Sequence, residues 1–215
     1  MTKQCTVALL DLPVPPNPHP YLARMARFSN DAIHEVRRQE VLAVLPASEG
    51  LEAATFDRMT ASISYELDVM PLLSSVPVAV LCAALHCCDH SEEVSLLCEE
   101  GIVSDSLPDL ARTSLLFQCR DATAALAVTV LANGTSIEAA VPVTRTRREG
   151  VGWVDLSATP FGAGRHRCPG RSHALAMVRG ILAALEGHEI MEEGPDVGRQ
   201  NLRLPSYLIM GRRGR

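Results

Sequence analysis

Between Thr159 and His173 the chain reads TPFGAGRHRCPGRSH, and one residue in it is equipped for chemistry. Cys168 stands just ahead of Pro169 and Gly170, where a helical pattern is about to begin, and a helix N-terminus favours a thiolate. Phe161, Gly162, Gly164 and His166 crowd the approach to it. Glycines at this density lower the entropy of folding, so a chain keeps them where its backbone passes close to something flat or large. Three readings of Cys168 follow: an incidental thiol in a helix-capping loop, a metal site shared with His166, or the axial thiolate of a haem iron. Zinc asks for about four closely spaced ligands, and one cysteine with one nearby histidine does not supply them. A second cluster, His86–His90 (HCCDH), has metal-ligand residue types, but it closes an apolar helical run and reads as a helix terminus with core cysteines and capping groups.

The elements that must position Cys168 are mostly helical. Leu, Ala and Val carry the apolar content and aromatics make up only 4 %, which leans toward helix. A proline-rich, irregular start gives way to helical patterning near Tyr21. This resumes after Ser29, Asn30 and Asp31, all good N-cap residues, and carries His34 and Arg38 on one face, four residues apart. Further helices are expected over Ala53–Asp68 and over the apolar run Pro71–Cys88. Another opens at Ser91, where acids follow a serine. The longest covers Leu107–Ala132, with Gln118, Arg120, Asp121 and Thr123 interrupting an apolar surface. The run from Glu138 to Leu156 alternates and reads as one or two short strands. An amphipathic helix over Arg171–Gly187 follows the cysteine loop, and NLRLPSYLIM reads as a final strand.

Bulk properties set the outer limits. The 215 residues form one sizeable unit, and a net charge of −5 does not suggest a nucleic-acid partner. The apolar N-terminal run is short and broken by Asp11 and prolines, unlike a signal peptide or a membrane span. The seven cysteines (Cys5, Cys82, Cys87, Cys88, Cys98, Cys119, Cys168) are odd in number, and most lie in apolar helical runs. Free thiols in a reducing cytoplasmic compartment are therefore expected, with no membrane attachment.

Phe161, Gly162, Gly164, His166, Cys168 and Gly170 together reproduce the pattern F-G-x-G-x-[HR]-x-C-x-G. This resembles the cysteine-ligand loop of the cytochrome P-450 family. The resemblance implies a mainly α fold over residues 1–215, a reduced P-450-like haem core with a few short β-strands. It implies haem b (iron protoporphyrin IX) as cofactor and Cys168 as the metal ligand. Phe161 would pack on the sulfur, and the glycines would lie against the macrocycle. His34, Arg38, His166 and Arg147 (with Arg145 as the alternative) would meet the haem propionates. NDAIHEVRR is similar to the family's helix bearing a histidine and an arginine, and LLFQCRDATAALAVTVLA to its long central helix. There the family pattern A-G-x-[DE]-T is matched by Asp121. Ala122 replaces the alcohol, and Thr123 stands one place late, expected to face another direction.

The chain is about half the usual family length, with matching segments from end to end, so internal deletions are expected. They would fall on the substrate-recognition roof and the β domain. The resemblance implies a haem-thiolate oxidoreductase, a monooxygenase or a peroxide-dependent enzyme, acting on a small organic substrate in specialised metabolism. Asp121 and Thr123 would be its distal catalytic residues, and a redox partner or peroxide its oxidant source. A homodimer or a partner protein would cover the distal face through exposed apolar positions of the Pro71–Cys88 or Leu107–Ala132 helices. Two alternatives stay open: a non-catalytic accessory that stabilises a partner enzyme, and a catalyst of a non-redox step such as cyclisation or dehydration.

Overall fold

The longest helix, Leu110–Asn133, is stopped at both ends by local chemistry. The Asp109 side chain accepts from the backbone N–H groups of Ala111 and Arg112, which caps the first turn. Gly134 adopts φ +60° and returns its N–H to the Val130 carbonyl, the left-handed cap that glycine takes without strain. In a computed structural model of the protein, which describes residues 8–63, 66–141, 145–197 and 201–214, this helix is the fifth of six described α-helices. They are α1 (Asp31–Val44), α2 (Leu51–Thr60), α3 (Met70–Ala84), α4 (Ser91–Glu99), α5 (Leu110–Asn133) and α6 (Arg171–Ala184). By length and composition α5 could cross a membrane, but more than half of its most apolar window is buried inside the protein.

The strands are short: β1 (Glu66–Asp68), β2 (Arg145–Arg148), β3 (Gly152–Asp155), β4 (His188–Glu193) and β5 (Leu208–Arg212). β5 lies between β1 and β4 in an antiparallel sheet, and β2 pairs with β3 as a hairpin. The mainly α architecture with a few short strands is the one expected. Two local expectations fail. The helix expected over Ala53–Asp68 stops at Thr60, because 66–68 pair with β5 and the Asp68 carboxylate accepts from the N–H groups of Met70 and Leu208. The cap expected of Asn30 is not made by its side chain, which exchanges hydrogen bonds with Val14 at 2.7 and 2.9 Å. Residues 1–7 and 142–144, which include Cys5 and part of the expected strand, lie outside the described residues.

The main core joins α2, α3, α5, α6 and β5 around Met59, Leu73, Leu126, Met177, Ile181 and Leu208. A second cluster joins α1, α3, α4 and α5 around Val41, Leu81, Val94 and Leu116. The α3 and α5 helices supply much of this core, and the exposed large apolar residues lie elsewhere, with Ile33 and Val36 on α1 the most open among the helices. Among the described residues, α3 and α5 therefore carry no large exposed apolar side chain for the interface expected there.

α6 meets α2 through Gly180. A Cβ there would stand 2.3 Å from the Glu52 carbonyl oxygen, 2.9 Å from Thr55 Cβ and 3.0 Å from the Phe56 nitrogen. Two of the three atoms are backbone and cannot rotate away. Gly180→Ala should therefore push α2 from α6. We expect it to destabilise the fold by about 1–3 kcal/mol, although alanine is the better helix former. Urea unfolding of the variant checks this, and an unchanged midpoint would refute so close a helix contact.

Candidate functional site

One large cleft lies among α1, α3, α5, α6, the β2–β3 hairpin and the Thr159–Gly170 loop, with about 1420 Å³ of empty space including its mouth. Its apolar wall includes Val41, Leu81, Leu115, Leu126 and Met177, and a third small core of Leu10, Val154 and Leu156 closes its edge. The cleft is lined by arginines 27, 38, 148 and 167 and histidines 34, 166 and 173, and by no Asp or Glu among the described residues. Its wall is apolar and its charged lining is cationic.

The cysteine loop is held from several sides. Gly162 N–H donates to the Thr159 carbonyl and Cys168 N–H to the Phe161 carbonyl, both at 2.8 Å. From α1, Arg38 donates to the Arg167 carbonyl at 2.8 Å. From the N-terminal segment, the Asp11 carbonyl accepts from the Arg165 guanidinium at 2.6 Å. Arg171 stacks its guanidinium 5.4 Å from the Phe161 ring centre. The loop thus presents Phe161, Gly162, His166, Cys168 and Gly170 to the cleft, but not Gly164. Gly164 has φ +60°, and a Cβ on it would meet the Asp11 carboxylate at 2.2 Å. A Cβ on Gly162 (φ +71°) would meet the His166 carbonyl at 3.2 Å. Both glycines therefore serve the loop's own turn and packing, and Gly162 also lies on the cleft wall.

Cys168 lines the cleft, yet its pKa is raised, chiefly by burial. The Gly170 backbone N–H and the charges of Arg27 and Arg38 oppose this without winning. Burial thus opposes the thiolate that the helix N-terminus alone favours. Metal ligation would remove its proton.

His34 is buried on α1, and its ring centre lies 4.2 Å from that of His166. Burial, with Arg38 next, lowers the His34 pKa. Burial, then His34, Arg148 and Arg165, lowers that of His166 to about 4. His166 Nε2 is buried with no hydrogen-bond partner, a nitrogen that still needs an acceptor or donor.

Both imidazoles are thus held neutral in the folded chain, while unfolded histidine takes up a proton near pH 6.5. Below that pH the unfolded state binds more protons, so stability falls as pH drops from about 6.5 toward 4 and is flat above 6.5 for these two groups. Urea midpoints of the ligand-free protein between pH 7.5 and 4.5 should show this slope. His34→Asn/His166→Asn should flatten it, and a slope unaltered in the double variant would refute the assignment.

The β2–β3 hairpin decides which arginine enters. Thr146 and Arg148 face the cleft, while Arg145 and Arg147 lie on the opposite side with guanidinium carbons 4.6 and 5.1 Å from the Trp153 ring centre. Arg148 is buried and donates to the Leu10 carbonyl at 3.0 Å, to Thr146 Oγ1 at 3.0 Å and to the Arg147 carbonyl at 2.8 Å. Arg147, the expected propionate partner, thus points away, and Arg148 takes its place because side chains alternate along a strand.

α5 presents Leu115, Gln118, Cys119, Ala122, Thr123 and Leu126 to the cleft, one helical face. Asp121 lies off that face. It pairs with Arg120 at 2.6 Å, and Arg120 also binds Ser95 and Glu99 of α4. Asp121 is therefore in a helix-to-helix tie and not in the expected distal position. Thr123, expected to face elsewhere, does line the cleft, with its Oγ1 3.6 Å from Cys119 Sγ. Burial pushes the Cys119 thiol up to about 12, so it stays protonated. Among the described residues no group of three or more His, Cys, Asp or Glu could hold a metal ion. In HCCDH, Asp89 pairs with Arg58 and accepts from the Ser91 N–H, the capping role expected, but Cys87 is half-buried and Cys88 exposed rather than in the core.

The sequence matches no protein-family model and no curated protein sequence. Solved structures resemble it strongly in fold. P450BioI, in complex with an acyl carrier protein ligated to hexadec-9Z-enoic acid, has a TM-score of 0.65 at 13 % identity, covering 97 % of this chain and 90 % of that one. The thermophilic cytochrome P450 from Sulfolobus tokodaii gives 0.64 at 13 %, covering 97 % and 86 %. The cytochrome P450 CYP109B1 from Bacillus subtilis gives 0.69 at 11 %, covering 97 % and 91 %.

Proposed function

We propose that this cytochrome P-450-like chain binds haem b with Cys168 as axial ligand. It would act as a haem-thiolate oxidoreductase on a small organic substrate, in specialised metabolism. The observation that carries the reading is the cleft itself: one loop thiol, an apolar wall and a cationic lining free of carboxylates, matched to an apolar dianion. The orphaned His166 Nε2 supports it as well. His34, Arg38, His166 and Arg148 would hold the haem carboxylates. When bound, the haem would supply an iron centre for oxidation by oxygen or peroxide. Cys168 would give up its proton on ligation and supply negative charge to the metal, with the Gly170 N–H donating toward its sulfur. On the α5 face, the Thr123 hydroxyl, the Cys119 thiol and the Gln118 amide are the proton-bearing groups that line the cleft.

Peroxide is the favoured oxidant. Dioxygen use asks for an acid–alcohol pair facing the iron, and here Asp121 is turned to Arg120 while Ala122 stands beside the cleft. The absorption spectrum of purified, reduced protein under carbon monoxide tests the reading. The red-shifted carbonyl band of thiolate-ligated haem is expected, and its absence from haem-reconstituted protein would refute it.

A further inference from the structure

The turn that ends α3 brings two cysteines together, away from the cleft. Leu85 is the C-cap, and His86 takes the left-handed conformation at φ +56°. His86 N–H donates to the Ala83 carbonyl at 3.1 Å, and Cys87 N–H donates to the Cys82 carbonyl at 3.0 Å. This pair of bonds is the closure of a helix C-terminus in which the side chain three residues before the cap meets the side chain two residues after it. Two apolar residues usually make that contact, but here both are cysteines. Cys87 Sγ also donates to the Cys82 carbonyl at 3.4 Å. Two residues joined across one reversed turn, with their side chains in contact, suit the short separations that a disulfide demands. Beyond the turn, Asp89 pairs with Arg58 of α2 and accepts from the Ser91 N–H of α4, which holds the segment in place.

The two thiols differ in access. Cys82 is fully buried among Val78, Leu81, Leu85 and Val94. Burial pushes its pKa up to about 12, and the charge and hydrogen bond of the Cys87 thiol add to the rise. The His90 backbone N–H opposes it. A protonated thiol shut away from water does not react with an oxidant on its own. Cys87 is half-buried and within reach of solvent, and Cys88 is exposed. An oxidant therefore meets Cys87 before Cys82. Once Cys87 carries a neutral sulfenic acid, its share in holding the Cys82 proton is gone, while the His90 N–H remains.

We propose that Cys82 and Cys87 are a reversible oxidation site for hydrogen peroxide, with Cys87 oxidised first and Cys82 resolving it as a disulfide. The Cys87 sulfur takes one peroxide oxygen as the O–O bond breaks, and the other oxygen leaves as water with the thiol proton. The Cys82 sulfur then attacks the Cys87 sulfur. The S–S bond forms, the S–O bond breaks, and hydroxide leaves as water with the Cys82 proton. Two thiols give up two electrons, and one peroxide is reduced to two waters. Neither cysteine lines the cleft, so the inference does not rest on the haem reading.

Peptide mapping tests it. The full chain, reduced and then freed of reductant, is treated with a small molar excess of hydrogen peroxide, alkylated, unfolded and cleaved between Cys82 and Cys87 with chymotrypsin. The two fragments should be joined, with two alkylatable thiols fewer per chain, and dithiothreitol should restore both. Cys88→Ala should keep the link. Cys82→Ala should stop at a sulfenic acid on Cys87 that dimedone traps, and Cys87→Ala should leave Cys82 alkylatable. Separate fragments from the unmodified protein overturn the proposal. So does loss of the link in Cys88→Ala, because the exposed neighbour would then be the thiol that peroxide attacks. Oxidised Cys82 in Cys87→Ala overturns the order of the two steps and with it the proposal. The unmodified protein and the surface variant Cys88→Ala decide the outcome even if Cys82→Ala does not fold.

Discussion

Cys168→Ala should abolish the red-shifted carbonyl band of the reduced, haem-reconstituted protein and leave the fold in place. The sulfur is held by a loop and not by the main core, whose buried residues come from α2, α3, α5, α6 and β5. The loop keeps its anchors from Asp11, Arg38 and the Phe161 carbonyl without it. A stability change within about 1 kcal/mol is therefore expected, read by urea unfolding, against a complete loss of the thiolate signature. Cys168→His should move the carbonyl band to that of nitrogen-ligated haem. A thiolate band surviving in either variant would show that another cysteine is the ligand, and Cys119, across the same cleft, would be the first to examine.

The second large effect concerns the cationic lining. Arg38→Leu combined with Arg148→Leu should weaken haem retention by about a hundredfold or more, since each charge-assisted bond to a carboxylate contributes about 1.5–3 kcal/mol. Transfer of haem to apomyoglobin measures it. Arg145→Leu with Arg147→Leu serves as the matched control, because those two guanidinium groups stack on Trp153 outside the cleft. Equal haem loss from both pairs would refute the inward placement of Arg148.

These two variants also mark where the sequence is readable and where it is not. The cysteine loop and its following helix are local signals: glycines, a proline and a cap spelled out within fifteen consecutive residues. The His34–Arg38 spacing is equally local. Arg147 misleads because the parity of a strand depends on its partner, and the register Thr146↔Val154 is set by β3. Asp121 misleads because a one-residue offset on α5 turns a side chain by about 100°, and α4 supplies the Arg120–Glu99 tie that holds it there. The Cys119–Thr123 pair was legible in principle, as two polar residues four apart on the face of Leu115 and Leu126. The burial of Cys168 was hidden: a helix N-terminus is visible in sequence, but the burial that opposes it is not.

The bonds that close the cleft have one property in common, their reach along the chain. Arg148 to Leu10 spans 138 residues, Arg165 to Asp11 spans 154, Arg38 to Arg167 spans 129, and His173 to Pro46 spans 127. Each closes a long loop, whose entropy must be surrendered before the contact returns anything. Helix pairs such as α2 with α3 have no such delay. The α2–α6 contact at Gly180 reaches about as far, so the main core and the rim of the cleft both close late, and the ribosome must release nearly the whole chain before a ligand can be grasped. A ligand that spans the rim then ties these distant segments together at once, and its departure is limited by the slow reopening of several long loops together.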